Sequence, residues 1–150
     1  MSIIAIGYFA VRPVVGGAMQ SSRRRAVLRR LVGLFTQART EAVGQGRLVR
    51  VVCDTQEGAL WAEVQVDPAV DRSEFEGLSI MGREGFQLPD DFVIVQLMIA
   101  GMDASSPGTG EIYFYADGTT DGLALTMEGP GGQEVTIEVL PTTGKVILNV

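Results

Sequence analysis

The sequence predicts an α+β fold in which one long N-terminal helix packs on antiparallel β-sheets. Two observations lead to this prediction. Residues 20–44 repeat their apolar side chains with the period of a helix, whereas the chain after Gly46 alternates apolar and polar residues with the period of a strand. A length of 150 residues with 46% hydrophobic content suits a single domain with a substantial core.

The predicted helix over residues 20–44 has one apolar stripe. At about 100° per residue, the stripe contains Leu28, Leu31, Val32, Phe35, Ala38, Ala42 and Val43. Ser21 and Ser22 are the candidate N-caps, and the Gly-Gln-Gly sequence at 44–46 predicts the C-terminal stop. At about 1.5 Å per residue this helix is roughly 37 Å long, so its apolar stripe needs an extended sheet surface to pack on.

One arginine interrupts the apolar stripe. Arg39 lies about 20° from Leu28 around the helix axis. Its guanidinium must reach the surface along its stem or find an oxygen partner, because an unpaired buried charge is costly. Both a packed stem with an exposed head and a specific buried pair remain open. In either case we predict a structural role for Arg39, partly buried between helix and sheet with a carboxylate or carbonyl partner.

The strands follow in order after the helix. They are predicted at residues 48–53, 60–66, 92–99, 112–115, 123–127, 134–140 and 145–150. Alternation places Trp61 on the wetter face of the second strand, where it either covers a sheet edge or contacts a partner. Residues 67–91 are predicted to form a long acidic loop with one short strand. The run 92–99 is apolar on both faces and predicts a central strand buried under the helix.

Charge is divided sharply along the chain. Residues 1–50 contain nine arginines and one acid, a net charge of +8, and residues 51–150 contain three bases and seventeen acids, a net charge of −14. An acidic body of this kind repels nucleic acid. The basic cluster of the helix is formed by Arg23, Arg24, Arg25, Arg29 and Arg30. A solvated face, an acidic neighbour, lipid head groups and nucleic acid are all open explanations for it.

The residues that usually carry enzyme chemistry are missing or scattered. The chain has no histidine, which removes the commonest general base and every Ser-His or Cys-His arrangement. Cys53, the single cysteine, is predicted to be buried and inert. Asp117 and Gly118 begin a loop without calcium-loop spacing and are predicted to be structural turn residues. We therefore predict a protein that assembles or binds, with no enzymatic activity, no cofactor and no metal.

The N-terminal residues 1–11 are apolar and uncharged, and Arg12 and Pro13 follow them. Their length is about half of the roughly twenty residues that a membrane helix needs. Two interpretations remain open: a buried or frayed terminal segment, and the distal half of a membrane helix.

Several of these features occur in the order seen in one family. The apolar run ending at Pro13, the helix with its Ala38-Arg39 pair, the Asp117-Gly118-Thr119 turn and the closing Thr143-Gly144-Lys145-Val146 sequence resemble the type II secretion minor pseudopilin H and FimT family. The resemblance implies a membrane helix that is cut and methylated by a prepilin peptidase and continues into a pilin-like periplasmic domain. It also implies a structural subunit at the tip of a pseudopilus or type IV pilus.

The resemblance leads to definite expectations. Residues 1–19 are expected to be the distal part of the membrane helix, and residues 20–150 a single periplasmic domain with its sheets over 47–150. The family's Gly-Phe-Thr-type cleavage motif and its glutamate are missing, so we expect an N-terminally truncated chain. The expected function is that of a minor pseudopilin in protein export, anchored by a single pass in the bacterial inner membrane. The alternative is a FimT-like minor pilin of type IV pilus biogenesis or DNA uptake.

Partners and surface residues follow from the same reasoning. Other minor and major pseudopilins are the expected partners. We expect the sheets to leave part of the helix uncovered, as an assembly surface made of Arg24, Arg25, Leu28, Leu31 and Phe35.

DNA-binding FimT-like members resemble one another in a basic Gly-Arg-x-Arg element, and the matching positions here are Gly144, Lys145, Val146 and Ile147. Only one basic residue matches, so nucleic acid is not expected as a partner. A binding module that uses Trp61 and the acidic loop remains the competing class.

Overall fold

The long helix α1 extends over Val15–Gln45. The computed structural model describes residues 15–80, 82–106 and 108–149, so the expectations for residues 1–14 lie outside it. The helix has 31 residues and is about 46 Å long. Because it begins at Val15, Ser21 and Ser22 are internal and the N-cap prediction is wrong. The predicted stop is confirmed: Gly46 has a φ of 62° and the Arg47 amide donates to the Ala42 carbonyl at 3.1 Å, the closure typical of a helix that ends on glycine.

The first sheet follows the helix directly. Its members are β1 (Val49–Asp54), β2 (Ala59–Asp67), β3 (Asp71–Leu78), β4 (Phe86–Gln87) and β7 (Thr109–Phe114). The strand order is β3-β2-β1-β7, and β4 pairs with β2. The β1–β2 turn forms because the Asp54 carboxylate accepts from the amides of Gln56 and Glu57, both at 3.0 Å, and Gly58 adopts a φ of 68°.

The second sheet contains the remaining strands. They are β5 (Val93–Ile99), β6 (Met102–Asp103), β8 (Leu123–Glu128), β9 (Glu134–Val139) and β10 (Val146–Asn149), in the order β10-β9-β8-β5-β6. All strand pairs in both sheets are antiparallel. The predicted α+β architecture, one long helix with antiparallel sheets, is therefore confirmed.

The core lies between the helix and the sheets. The helix packs on β1, β2 and β7 of the first sheet and on β10 of the second. The fully buried residues include Leu31, Phe35, Val49, Val51, Leu60, Leu97, Ile112, Phe114, Leu125 and Ile137. Because the helix and both sheets contribute to this set, the helix is an integral part of the hydrophobic core.

Two predictions about the middle of the chain are wrong. The region 67–91 contains the eight-residue strand β3 as well as the short β4, so it is not a long loop with one short strand. β5 is one strand from the edge of the second sheet, and Val93 and Val95 are 55% and 43% exposed. The apolar run predicts a central strand buried on both faces under the helix, but the helix packs on β10 at the opposite edge of this sheet, and only one face of β5 is covered.

Among the described residues, no helix is long and apolar enough to cross a membrane.

Candidate assembly surface

Four of the five predicted assembly residues are buried within the subunit. Leu31 and Phe35 are 0% exposed, and Leu28 is 5% exposed. Arg24 is 7% exposed, and burial, followed by the nearby charge of Arg25, lowers the pKa of its guanidinium. The prediction that these four residues form an exposed surface is wrong, because the sheets cover this part of the helix. Arg25 is exposed.

The buried stripe of α1 has a different centre from the predicted one. Val27 and Leu34 are also buried, and at about 100° per residue they lie on the side of Leu28 opposite to Val32 and Val43. The buried arc is therefore rotated away from its predicted centre, and Val43 is 46% exposed. Arg24 lies within the true arc, which explains its burial, whereas Arg39 lies near its edge.

The rotated arc leaves a different surface of the helix open to solvent. We call it the helix outer face, and its exposed members are Ser22, Arg25, Arg29, Thr36, Thr40 and Val43. They fall within an arc about 60° wide. The Thr40 hydroxyl donates to the Thr36 carbonyl at 3.0 Å. Arg25 and Arg29 are the charged members of this face. Nearby Arg23 forms a salt bridge with Asp91, just before β5.

Arg39 joins the helix to two turns of the sheets. It is half-buried, and its Nε donates to the Gly118 carbonyl at 3.0 Å, which is the type of partner that the sequence predicted. Gly118 precedes β8 and Gly144 precedes β10, with φ values of 91° and 69°. A Cβ added at Gly144 would lie 2.3 Å from Arg39 Cδ, and one at Gly118 would lie 2.8 Å from Arg39 Nη2. Glycine at both positions therefore leaves room for the guanidinium.

The Asp117 turn is satisfied within itself. The Asp117 carboxylate accepts from the Thr119 amide at 3.0 Å and from the Thr119 hydroxyl at 2.6 Å. These hydrogen bonds lower the pKa of Asp117. Across the turn, the carboxylate of Asp121 accepts from the Tyr113 amide and from the Tyr115 hydroxyl, at 3.0 and 2.7 Å. Both carboxylates act as turn-forming groups, and no cluster of metal-binding side chains occurs in the described part of the chain.

A charged and aromatic cluster on the outer side of the first sheet was missed by the sequence analysis. Arg50 is at its centre. Its Nη2 lies 2.7 Å from Glu63 Oε1 and its Nη1 lies 3.8 Å from Glu111 Oε2. Its Cζ lies 3.8 Å from the centre of the Phe75 ring. Trp61 Nε1 donates to Glu63 at 3.0 Å. Alternation places Trp61 and Glu63 on one face, but only the strand order brings Glu111 and Phe75 beside them. Because these groups satisfy one another, the cluster is suited to holding the strands together.

Cys53 is fully buried, as predicted, and burial raises the pKa of its thiol to about 12. An enclosed thiol with this pKa is not a nucleophile at neutral pH.

One long helix on two antiparallel sheets defines a pilin-like domain. Charged residues described above, such as Arg39 and Arg50, make contacts that stabilise this fold. The chain belongs to the GspH family of type II transport proteins, whose model matches residues 27–143. This is a family of structural, non-enzymatic pseudopilins. Its proteins typically reside in the inner membrane and periplasm. The resemblance found in the sequence is therefore confirmed.

Solved structures share the same fold at low sequence identity. The chain is similar to the minor pseudopilin EpsH of the Vibrio cholerae type II secretion system in two structures. One has a TM-score of 0.64 and 11% identity and covers 84% of this chain and 94% of EpsH. The other has a TM-score of 0.60 and 12% identity, with 86% and 91% coverage. The type IV minor pilin FimU of Pseudomonas aeruginosa has a TM-score of 0.55 and 14% identity, with 87% and 90% coverage. No curated protein sequence matches the chain.

Proposed function

We propose that the chain is a minor pseudopilin at the tip of a type II secretion pseudopilus, where it acts in protein export by assembling with other pseudopilins. The observation that carries this proposal is the family match over residues 27–143. The likeness to EpsH supports it through the fold. The role requires no reaction at the subunit itself, which agrees with carboxylates that serve turns and a thiol enclosed in the core.

The proposed placement is a single-pass anchor in the bacterial inner membrane with the folded domain in the periplasm. In this arrangement residues 1–19 are the distal part of the membrane helix and residues 20–150 form the periplasmic domain. Two features support it: the apolar composition of residues 1–11 and the continuation of α1 to Val15.

The helix outer face is the proposed contact with neighbouring subunits. Buried residues such as Leu31 and Phe35 cannot contact a neighbour unless the subunit opens. Arg25 and Arg29, in contrast, are exposed and one helical turn apart. An arginine pair on a rigid helix fits an acidic surface of another subunit, and charge complementarity of this kind sets orientation and association rate.

Export in the natural host tests the proposal. The gene is deleted and restored as the wild type or as the Arg25→Glu/Arg29→Glu variant, and a secreted protein is quantified in the medium and in the periplasm. We expect deletion to leave the exported protein in the periplasm. The double variant should reduce export at least about fivefold, because like charges facing each other across an interface cost several kcal/mol.

The matched control is Arg72→Glu, which makes the same reversal at an exposed position of β3. It should export normally, and all variants should match the wild type in thermal stability. Normal export by the deletion strain would contradict the proposed function. Normal export by the double variant would show that the helix outer face is merely solvated.

The second candidate is a type IV pilus minor pilin, favoured by the structural likeness to FimU. The same deletion strain separates the two candidates, because loss of twitching motility or DNA uptake with intact export would select the pilus system.

A further inference from the structure

A second open feature lies on another side of the helix, between α1 and the segment from β3 to β4. It is a pocket of about 180 Å³ that opens to solvent. Its apolar lining consists of Leu34, Ala62, Leu78, Ile80 and Phe86. Arg30 from the helix and Arg83 from the segment before β4 also line it, and we call it the Arg30–Arg83 pocket.

The two arginines of the pocket differ in exposure: Arg30 is half-buried and Arg83 is exposed. Arg30 stacks on the Phe86 ring, with 4.4 Å between its Cζ and the ring centre. Burial, followed by the charge of Arg83, lowers the pKa of Arg30. Within the described residues neither arginine forms a salt bridge, and Glu84, which also lines the pocket, forms none. Arg50, in contrast, lies between two carboxylates.

We infer that the Arg30–Arg83 pocket binds an apolar side chain with a carboxylate beside it, presented by a different pseudopilin subunit. This inference rests on the proposed function as a pseudopilin, since it identifies the chemistry of one of its partners. The volume is sufficient for an aromatic ring, because an apolar cavity of about 150 Å³ binds benzene. The carboxylate would lie between the two guanidinium groups, where it relieves their repulsion and forms charge-assisted hydrogen bonds.

Fragment binding to the full chain tests the pocket without reference to secretion. N-acetyl-L-phenylalanine carries both required groups, and N-acetyl-L-phenylalaninamide lacks the charge. In an NMR titration we expect the acid to shift the signals of Leu34, Ile80 and Phe86. We expect it to bind at least about fivefold more tightly than the amide, because the acid alone pairs with the guanidinium groups.

Matched variants assign the effect to the two arginines. Arg30→Gln/Arg83→Gln should weaken binding of the acid at least about fivefold and leave binding of the amide unchanged. Arg29→Gln removes the same charge one position away on the exposed face and should change neither. Glu84→Gln should leave binding of the acid equal or tighter, because it removes a competing negative charge.

Several results would overturn the inference. Equal affinities for the acid and the amide would show that the pocket binds apolar groups without recognising a carboxylate. Self-association of the chain that is lost in Arg30→Gln/Arg83→Gln would assign the pocket to a second copy. Normal export by cells carrying that variant would exclude a role in assembly, while loss of export in the deletion strain would still support the proposed function.

Discussion

Replacing Arg39 with alanine tests whether the contact between the helix and the two glycine turns stabilises the fold. The substitution removes the 3.0 Å hydrogen bond from Nε to the Gly118 carbonyl and the packing of the stem. A hydrogen bond to a charged group contributes about 1.5–3 kcal/mol, and the lower part of that range applies because the site is only half-buried. The lost packing adds to this contribution, so we expect Arg39→Ala to lower the free energy of unfolding by about 1.5–3 kcal/mol.

Urea denaturation followed by circular dichroism measures this loss. With a slope of about 2 kcal/mol per molar urea, the midpoint should fall by about 1 M. The control is Arg29→Ala, which removes an exposed arginine from the same helix and should change stability by less than about 0.5 kcal/mol. An unchanged midpoint for Arg39→Ala would refute the stabilising role.

A double-mutant cycle with Gly144→Ala tests the geometry itself. In the wild type the new Cβ would lie 2.3 Å from Arg39 Cδ, so Arg39 must move and lose its hydrogen bond. In the Arg39→Ala background two costs remain, and both are also present in the wild type: the strain of the positive φ, about 1–2 kcal/mol, and the approach of the new Cβ to the Gly118 carbonyl oxygen at 3.1 Å. Gly144→Ala should therefore cost at least about 1 kcal/mol more in the wild type than in the Arg39→Ala protein. Equal costs in the two backgrounds would show that the side chain does not occupy the space over Gly144.

Three further predictions follow from burial and charge. Cys53 should not react with a thiol reagent at pH 8 in the native protein, because with a pKa of about 12 only about one thiol in 10⁴ is ionised; rapid labelling without urea would contradict this. Tyr115 donates to Asp121, which raises the pKa of its hydroxyl to about 12. The interaction stabilises the fold below the ordinary tyrosine pKa and is lost as the pH rises through 12, so absorbance titration should show a late phase that Tyr115→Phe removes. At physiological ionic strength the full chain should not bind DNA measurably, and a low-micromolar gel shift would promote the DNA-uptake function. The full chain is needed because the helix completes the core.

The sequence alone determined the element types and most of their limits. A change of period from helix to strand placed α1 and seven of the strands, and glycine turns separated them, because these signals are local properties of neighbouring residues. The lack of histidine excluded most catalytic arrangements in the same direct way. The structural role of Arg39 could also be predicted, since the helical period alone places this residue beside apolar neighbours.

The tertiary structure alone decided which faces are covered and which distant residues meet. Helical periodicity shows that a stripe exists, but its buried centre depends on where the sheets lie, which is why Arg24 is enclosed and Val43 exposed. The apolar sequence of β5 likewise did not show that one face of this strand is left uncovered by the rest of the domain. Gly118 and Gly144 meet at Arg39 because antiparallel pairing brings distant turns together. Contacts of this kind depend on strand order, and strand order is settled by the packing of the whole domain.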